Sequence, residues 1–205
     1  MVTFAEFLGN AASKREFVNV LFEERVFELI GTFQKLSLPL EQAGVPHELV
    51  GGLAVFLHVE NADSTHSSLT RDIDVMIRRH DLPRVVAIAE EHGFRFRHSA
   101  GMDMLLFGET NSARNAVHLL YVGEKVKATQ LEPHPGIHPV RAGLHGQNFW
   151  VIPVLDLVRM KLSSYRDKDR VHVRGMDAAG LITSDVERGL SEDLQARLRN
   201  VRETE

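Results

Sequence analysis

The most informative segment of this chain is Leu69-Thr-Arg-Asp-Ile-Asp-Val-Met-Ile77. Its last five residues are apolar and β-branched enough to predict a strand. Residues two apart on a strand point to the same face, so we expect Asp72 and Asp74 to project together while the residues between them face a core. Two carboxylates this close repel each other unless a cation lies between them. Mg²⁺ prefers oxygen ligands and is usually shared with substrate phosphates, so it fits this pair.

A pair of glycines, Gly51-Gly52, lies upstream of the two aspartates. Glycine lets the backbone approach a ligand closely, and the apolar run Leu53-Ala-Val-Phe-Leu57 predicts a helix whose N-terminus attracts phosphate. The sequence therefore predicts a phosphate site and a metal site joined by one helix and one loop. Taken singly, each half has a plainer interpretation: a tight turn for the glycines and a solvated strand end for the aspartates.

The order of these elements resembles the nucleotidyltransferase superfamily, which has the DNA polymerase β-like catalytic fold. The closer resemblance is to bacterial AbiEii-type nucleotidyltransferases, whose usual pattern is Gly-Gly-x-Ala followed by Thr-x-Asp-x-Asp. The resemblance implies metal-dependent transfer of an NMP group from an NTP to a hydroxyl, with release of pyrophosphate. The matching positions are Gly51, Gly52, Ala54, Thr70, Asp72 and Asp74.

The family scheme gives each matched residue a role. Asp72 and Asp74 ligate Mg²⁺ or Mn²⁺, and Gly51 and Gly52 bind the NTP phosphates. Thr70 is expected on the same strand face as the carboxylates. There it either holds a phosphate or a hydroxyl, or is simply a β-branched strand residue.

A histidine stands where the resemblance implies a third, metal-binding carboxylate. The neighbouring strand is predicted over Asn115–Tyr121, and His118 occupies the expected position. A neutral imidazole can act as a general base near pH 7, but it prefers borderline metals to Mg²⁺. The other interpretation is an ordinary hydrogen-bonded histidine within a strand. Asp103 and Glu124 are candidates for the missing oxygen ligand, and spacing selects neither.

The segment Lys161-Leu-Ser-Ser-Tyr-Arg-Asp-Lys-Asp169 resembles the Lys…Arg-x-Lys-Asp segment of AbiEii-type proteins. The resemblance implies that Lys161 reaches the nucleotide phosphates as a catalytic residue and that Asp169 supports the base or the lysine. Arg166 lies near Lys161 on the predicted helix and is grouped with the nucleotide-binding residues. The family commonly has another aspartate three residues on, where this chain has His172. The alternative is a solvated helical face.

A concentration of positive charge in the C-terminal quarter predicts contact with a polyanion such as RNA. The chain as a whole has net charge −4, so an RNA acceptor needs a local basic patch. The other interpretation is a solvated helical surface with internal ion pairs. The cations are Arg159, Lys161, Arg166, Lys168, Arg170 and Arg174.

The two histidines of His134-Pro-Gly-Ile-His138 suggest a metal site only weakly. The chain has no cysteine to complete a site with them. We interpret both as ordinary loop residues.

The composition indicates an ordinary globular protein, with 43% hydrophobic and 25% charged residues supplying enough material for a core. The absence of cysteine excludes disulfides and thiolate chemistry, which suits a reducing cytoplasm. The N-terminus lacks the pattern of a signal peptide, and the longest uncharged apolar stretch, Leu49–Leu57, is too short for a membrane helix. We expect a cytoplasmic protein without a membrane partner.

The predicted fold class is α+β, with a nucleotidyltransferase-like mixed β-sheet and helices packed on it. We divide the chain into an N-terminal helical segment (1–44), a nucleotidyltransferase core (45–152) and a small helical C-terminal region (153–205). Helices are expected to end before Pro39, with a short helix over Pro39–Ala43 closing at Gly44. Residues 123–148 are predicted to be a long irregular connection.

Two other functions compete with the first. A catalytically weak relative would bind nucleotide or a partner without turnover, which His118 and His172 in place of acids would favour. An aminoglycoside-type transferase would keep the same core and differ in its acceptor. The sequence leaves the acceptor open among an RNA 3′ end, which toxin-type relatives imply, a protein side chain and a small molecule. It also leaves open whether a cognate antitoxin is a partner.

Overall fold

The computed structural model of the protein describes residues 25–67, 70, 72–108, 116–144 and 147–204. Strands within these ranges form one mixed sheet. The predicted N-terminal segment 1–44 therefore lies partly outside the described residues. The strands are β1 (Glu48–Val50), β2 (Ile73–Ile77), β3 (Phe94–Ser99), β4 (Met102–Phe107), β5 (Val117–Tyr121), β6 (Val140–Leu144) and β7 (Gln147–Val151).

Helices precede, interrupt and follow these strands. Across the described ranges, none of them is both long and apolar enough to span a membrane. They are α1 (25–42), α2 (Gly51–Asp63), α3 (Leu82–Glu91), α4 (Val154–Ser164), α5 (Asp167–Ala178), α6 (Ser184–Arg188) and α7 (Glu192–Glu203).

The strand order is β3-β4-β5-β2-β1-β7-β6. β2 runs parallel to β5 and antiparallel to β1, and β1 runs parallel to β7, so the sheet is mixed. Helix α2 contacts β1, β2 and β6 on one side and α4 and α5 on the other, and α4, α5 and α7 contact one another. The α+β prediction, a mixed sheet with helices packed on it, is confirmed. The division into three segments stays a prediction.

Helix α2 lies at the centre of the core. Its first seven residues are all buried, and it has no polar face over that stretch, which is the pattern of a helix covered on every side. Complete burial of a side chain such as Leu53 or Leu57 contributes about 1.5–3 kcal/mol. Buried residues of α1, β1 and α7 belong to the same hydrophobic cluster, among them Leu29, Leu49 and Leu194.

The predicted break before Pro39 is wrong. Helix α1 continues through this proline to residue 42, although proline removes one intrahelical hydrogen bond. Leu36 and Leu40, on either side of it, are almost completely buried, and their packing outweighs that loss. The chain then turns at Gly44, whose φ of +66° is in the region that favours glycine, as predicted.

The predicted irregular connection contains a strand that the sequence pattern missed. β6 pairs antiparallel with β7 at the edge of the sheet. Val140 and Ala142 are two residues apart and share a strand face, yet the first is exposed and the second buried. Together with Gly143, this removes the alternation that would have signalled a strand. Helix α6 was not predicted either; the hydroxyl of Thr183 accepts a hydrogen bond from the Val186 N–H at its start.

Candidate functional site

A cavity of about 200 Å³ lies between one face of the sheet and helices α4 and α5. Asp72 and Asp74 both line this cavity, and so do most of the other residues predicted for the site. Its lining residues are Gly51, Asp72, Asp74, Met102, His118, Leu120, Val126, Lys127, Gln130, His134, Leu157, Met160, Lys161, Ser164, Arg166, Lys168 and Asp169.

The two aspartates face the cavity as the strand pattern predicted. Asp74 lies on β2 between Val50 of β1 and His118 of β5. Asp72 comes just before the first residue of the strand and is more exposed, 46% against 23% for the Asp74 side chain. The flanking apolar residues of β2, including Ile73 and Val75, are completely buried. Alternation along the chain therefore separates the carboxylates from the core.

Gly51 directly follows β1 and begins α2, so no loop separates strand from helix. Its φ is +72°, and a Cβ at this position would collide with the Asp74 carboxylate. A Cβ on Gly52 would lie 2.5 Å from the Thr70 hydroxyl. Both glycines therefore let the start of α2 lie close to Thr70 and the Asp74 carboxylate, as close approach requires. Thr70 precedes β2, so its expected position on the strand is wrong, although it contacts the helix start.

His118 lies beside Asp74 in the parallel register, at the position expected for a third carboxylate. Its Nδ1 is 3.4 Å from Asp74 Oδ1. The hydrogen bond with this carboxylate raises the pKa of His118, against the opposing effect of burial. The imidazole is therefore directed at Asp74.

Neither alternative supplier of the missing oxygen lines the cavity. Asp103 is opposite Leu119, the neighbour of His118, so it points to the other face of the sheet. There it accepts hydrogen bonds from Tyr121, His98 and Arg79. The Glu124 carboxylate also binds Arg79, at 2.6 Å.

Lys161, Arg166 and Asp169 form one ion cluster on the helical wall of the cavity. The Asp169 side chain is completely buried, 3.4 Å from Lys161 Nζ and 2.7 Å from Arg166 Nε. Burial lowers the pKa of Lys161, and the charges of Asp169 and Asp74 only partly oppose this. Burial alone would raise the pKa of Asp169, but the hydrogen bond from Arg166 and the charge of Lys161 outweigh it and leave that pKa lowered. With two cations to one anion, the cluster attracts anions.

His172 lies next to this cluster and the start of α2. It is buried, its Cε1 would be 3.4 Å from a Cβ on Gly52, and its Nδ1 has no hydrogen-bond partner in the described part of the chain. Burial, reinforced by the charge of Lys161, lowers the pKa of His172 to about 4. A neutral ring therefore occupies the place where the family pattern has an acid.

The six cations predicted to form a basic surface all engage acceptors on their own chain. Arg159 lies 3.5 Å from Asp156, Arg170 pairs with Asp167, and the Arg174 guanidinium donates to main-chain carbonyls near the C-terminus. Lys168 Nζ is 3.6 Å from Asp72 Oδ2. Their geometry agrees with the alternative interpretation, a helical surface whose charges pair with acceptors of the same chain.

The cavity also contains residues that the sequence did not single out for a function. Met102, Leu120 and Met160 form apolar wall, while His134 and Gln130 are buried polar residues beside it. Of these residues, the sequence pattern singled out His134 alone, as a weak metal-site candidate paired with His138. Among the described residues, no three His, Asp or Glu side chains are grouped to hold a metal.

The donor chemistry of Asp72 and Asp74 fits a divalent cation that shares its ligands with a substrate. Mg²⁺ is commonly bound by one or two carboxylates together with substrate phosphates, keeping several waters. The side chains that face these carboxylates, the His118 imidazole and the Lys168 ammonium, are 3.4 and 3.6 Å away. Such long contacts are easily exchanged for a doubly charged ion.

Comparison with known proteins rests on structure alone. No protein-family model matches the chain, and no curated protein is similar to it in sequence. The antibiotic-resistance factor ANT(2'')-Ia in solution superposes with a TM-score of 0.52 at 13% identity, over 85% of this chain and 92% of that one. Its crystal structure in complex with adenylyl-2''-tobramycin gives 0.51 at 12%, over 82% and 95%.

A third solved structure agrees with these two. An antigenic nucleotidyltransferase-like protein from Paracoccidioides brasiliensis superposes with a TM-score of 0.55 at 16% identity, over 86% of this chain and 88% of that chain. At such low sequence identity, structural similarity is evidence for a shared fold alone. The chain therefore has the nucleotidyltransferase fold.

Proposed function

We propose that this protein is a metal-dependent nucleotidyltransferase that moves an NMP group from an NTP to a hydroxyl acceptor. The observation that carries the proposal is the meeting of three features at one cavity. These are the Asp72–Asp74 carboxylate pair, the start of α2 at Gly51, and the cationic cluster around Lys161. The nucleotidyltransferase fold of the chain supports it.

Each feature has a role that follows from its chemistry. Asp72 and Asp74 would hold Mg²⁺ or Mn²⁺, which when bound neutralises phosphate charge. The N–H groups in the first turn of α2 lack intrahelical acceptors and would donate to phosphate oxygens. Lys161 and Arg166 would bind phosphate oxygens from the opposite wall, held in place by their shared Asp169.

In the reaction, the acceptor oxygen forms a bond to the α-phosphorus while the bond to pyrophosphate breaks. The acceptor hydroxyl gives up its proton, and pyrophosphate leaves with the bonding electrons. Positioning and charge neutralisation supply most of the rate in such transfers. The cavity provides both, with acidic residues on its sheet wall and basic residues on its helical wall.

Transfer of label tests the proposal directly. Purified protein is mixed with each NTP labelled at the α-phosphate, with Mg²⁺ or Mn²⁺, and with bulk tRNA, protein or tobramycin as acceptor. We expect a labelled product with one combination and its loss in Asp72→Asn, which removes one ligand charge. Absence of product in every combination would contradict the proposal.

The pairing of the six cations favours a small acceptor over a long polyanion, because few of these charges are left for phosphates. ANT(2'')-Ia in its complex with adenylyl-2''-tobramycin makes an aminoglycoside a natural first probe. Replacing Arg170 by Ala should leave the salt dependence of transfer unchanged for such an acceptor. A shallower salt dependence in this variant would favour RNA instead, because a lost phosphate contact releases fewer counterions.

A second function, nucleotide or partner binding without turnover, is favoured by one observation. Asp72 faces Lys168, and Asp74 faces His118, which stands where an acid is expected. Calorimetry separates the two functions: binding of ATP–Mg²⁺ without any transfer favours the second. Activity gained by His118→Asp would favour it strongly.

The proposal has three further parts. They are a relationship to AbiEii-type proteins, a cognate antitoxin as partner, and a cytoplasmic location. The toxin-type resemblance supports the first two, and the expected NTP donor supports the third. Co-purification of the protein with the product of a neighbouring gene tests the antitoxin. Failure to recover any such partner would remove the toxin interpretation and leave the transferase proposal standing.

A further inference from the structure

His134 is fixed at the edge of the cavity by three hydrogen bonds to residues at and after the end of β5. Its N–H donates to the Glu124 carbonyl at 2.9 Å, and its carbonyl accepts from the Gly123 N–H at 3.0 Å. Its Nδ1 is 3.0 Å from the Tyr121 carbonyl oxygen. The side chain is buried yet lines the same cavity as Asp74.

The hydrogen bond at Nδ1 determines which ring nitrogen of His134 is free. A carbonyl oxygen can only accept, so Nδ1 carries the hydrogen and, in the neutral ring, Nε2 carries a lone pair. Within the described residues, Nε2 makes no hydrogen bond. Burial lowers the pKa of His134, and the opposing effects of the Tyr121 carbonyl, Glu124 and Asp74 do not outweigh it. The ring is therefore neutral near pH 7.

His118, the residue expected to replace the third carboxylate, is differently placed. Its Nδ1 faces the Asp74 carboxylate, so it is positioned to pair with that carboxylate. The nearby acids Asp103 and Glu124 are already bound to Arg79. His134 is thus a base in the cavity wall whose Nε2 makes no hydrogen bond within the described residues.

We propose that Nε2 of His134 is the general base that takes the proton from the acceptor hydroxyl. The inference rests on the proposed function and adds to it a proton acceptor that the family pattern does not contain. As the acceptor oxygen bonds to the α-phosphorus, its proton moves to Nε2 and pyrophosphate leaves. The resulting imidazolium, still hydrogen-bonded to the Tyr121 carbonyl, later returns the proton to water.

The substitution His134→Asn tests the proposal, because the asparagine amide can still donate to the Tyr121 carbonyl. With α-phosphate-labelled ATP, Mg²⁺ and whichever of tobramycin or bulk tRNA accepts label, we expect kcat to fall about 10²–10⁴-fold. The KM for ATP should stay within about two-fold, since the base contributes to the transition state rather than to nucleotide binding. The acidic limb of the pH–rate profile should disappear.

His92→Asn is a matched control, since His92 Nδ1 also lies 2.8 Å from a main-chain carbonyl, that of Ile88, but outside the cavity. It should leave kcat unchanged. As an independent readout, nitrogen NMR of the unliganded protein should show His134 at pH 7 as the neutral ring protonated at Nδ1. Added imidazole should recover part of the rate of His134→Ala.

The outcomes separate this inference from the proposed function. If the unaltered protein transfers label and His134→Asn keeps both kcat and the acidic limb, His134 is not the base and the function stands. Loss of ATP binding in calorimetry, with kcat at saturation retained, would make His134 a binding residue and overturn the inference. If the unaltered protein transfers nothing to any acceptor, both fall together.

Discussion

Two carboxylates on opposite faces of the same sheet have contrasting surroundings. Asp103, on β4, accepts hydrogen bonds from Tyr121, His98 and Arg79, and its side chain is 8% exposed. Asp74, on β2, is 23% exposed, and the His118 ring is 3.4 Å away from it. A buried polar group that the fold needs has its hydrogen-bonding capacity filled. The contrast identifies Asp103 as a structural acid and leaves Asp74 available for a ligand.

Exchanging each acid for its amide should give opposite results, and this is the largest effect we expect. Asp74→Asn should lower nucleotidyl transfer by more than about 100-fold, the scale seen when one group that stabilises transition-state charge is lost. Its stability should change little. Asp103→Asn should cost about 1–3 kcal/mol of unfolding free energy, because buried partners lose an acceptor, while kcat is retained.

Urea denaturation and the labelled-ATP assay measure both quantities on the same preparations. Equal losses of activity in the two variants, after correction for the folded fraction, would show that the two acids do not differ in kind. Equal losses of stability would lead to the same conclusion.

Gly51 provides a second test, because its backbone lies against the Asp74 carboxylate. Gly51→Ala should cost about 1–2 kcal/mol for a side chain at positive φ, plus the collision with Asp74, and should abolish transfer. Gly44→Ala is the matched control: its φ is +66°, but nothing in the described structure lies within 4 Å of the new Cβ. It should lose a similar amount of stability through strain alone and keep full activity. An active Gly51→Ala protein would show that the close approach is unnecessary.

His172 provides a third case, a buried side chain whose Nδ1 has no hydrogen-bond partner in the described part of the chain. Its pKa of about 4, against 6.5 for an ordinary histidine, means that the unfolded chain binds a proton more readily between these values. Stability present above pH 6.5 is therefore lost as the pH falls towards 4, by about 3 kcal/mol at most.

Replacement by glutamine isolates this contribution from those of the other buried histidines. Urea denaturation at several pH values should give His172→Gln a shallower loss of stability than the unaltered protein over that range. Parallel curves for the two proteins would show that His172 titrates normally. In that case the buried ring is reached by water.

Lys168 makes the smallest expected difference. Its ammonium lies 3.6 Å from Asp72, and both side chains are about half exposed, so their attraction is worth under about 1 kcal/mol. Lys168→Ala should tighten Mn²⁺ binding a few-fold in calorimetry, since a competing cation is removed. Lys125→Ala, whose lysine donates to a main-chain carbonyl instead, should leave Mn²⁺ affinity unchanged. Weaker Mn²⁺ binding in Lys168→Ala would mean that Lys168 supports the ion site.

Local patterns in the sequence predicted the centre of the fold and both carboxylates. Alternation along β2 and the glycine pair are local signals, so the placement of Asp72, Asp74 and Gly51 followed from them. The role of His134 could not be predicted in this way, because it depends on hydrogen bonds to Gly123, Glu124 and Tyr121 that bring the loop back to β5. Strand β6 was missed for a related reason: its pairing with β7 is tertiary, and its own alternation is weak.

The direct junction of β1 and α2 has a consequence for the thermodynamics of ligand binding. Since Gly51 both follows the strand and begins the helix, the helix start cannot move independently of the sheet that carries Asp74. Conformational entropy at this joint is lost when the chain folds, not when a ligand arrives. A phosphate meeting this part of the cavity finds its donors already ordered. We therefore expect any rearrangement on binding in the other walls, formed by α4, α5 and the connection that carries His134.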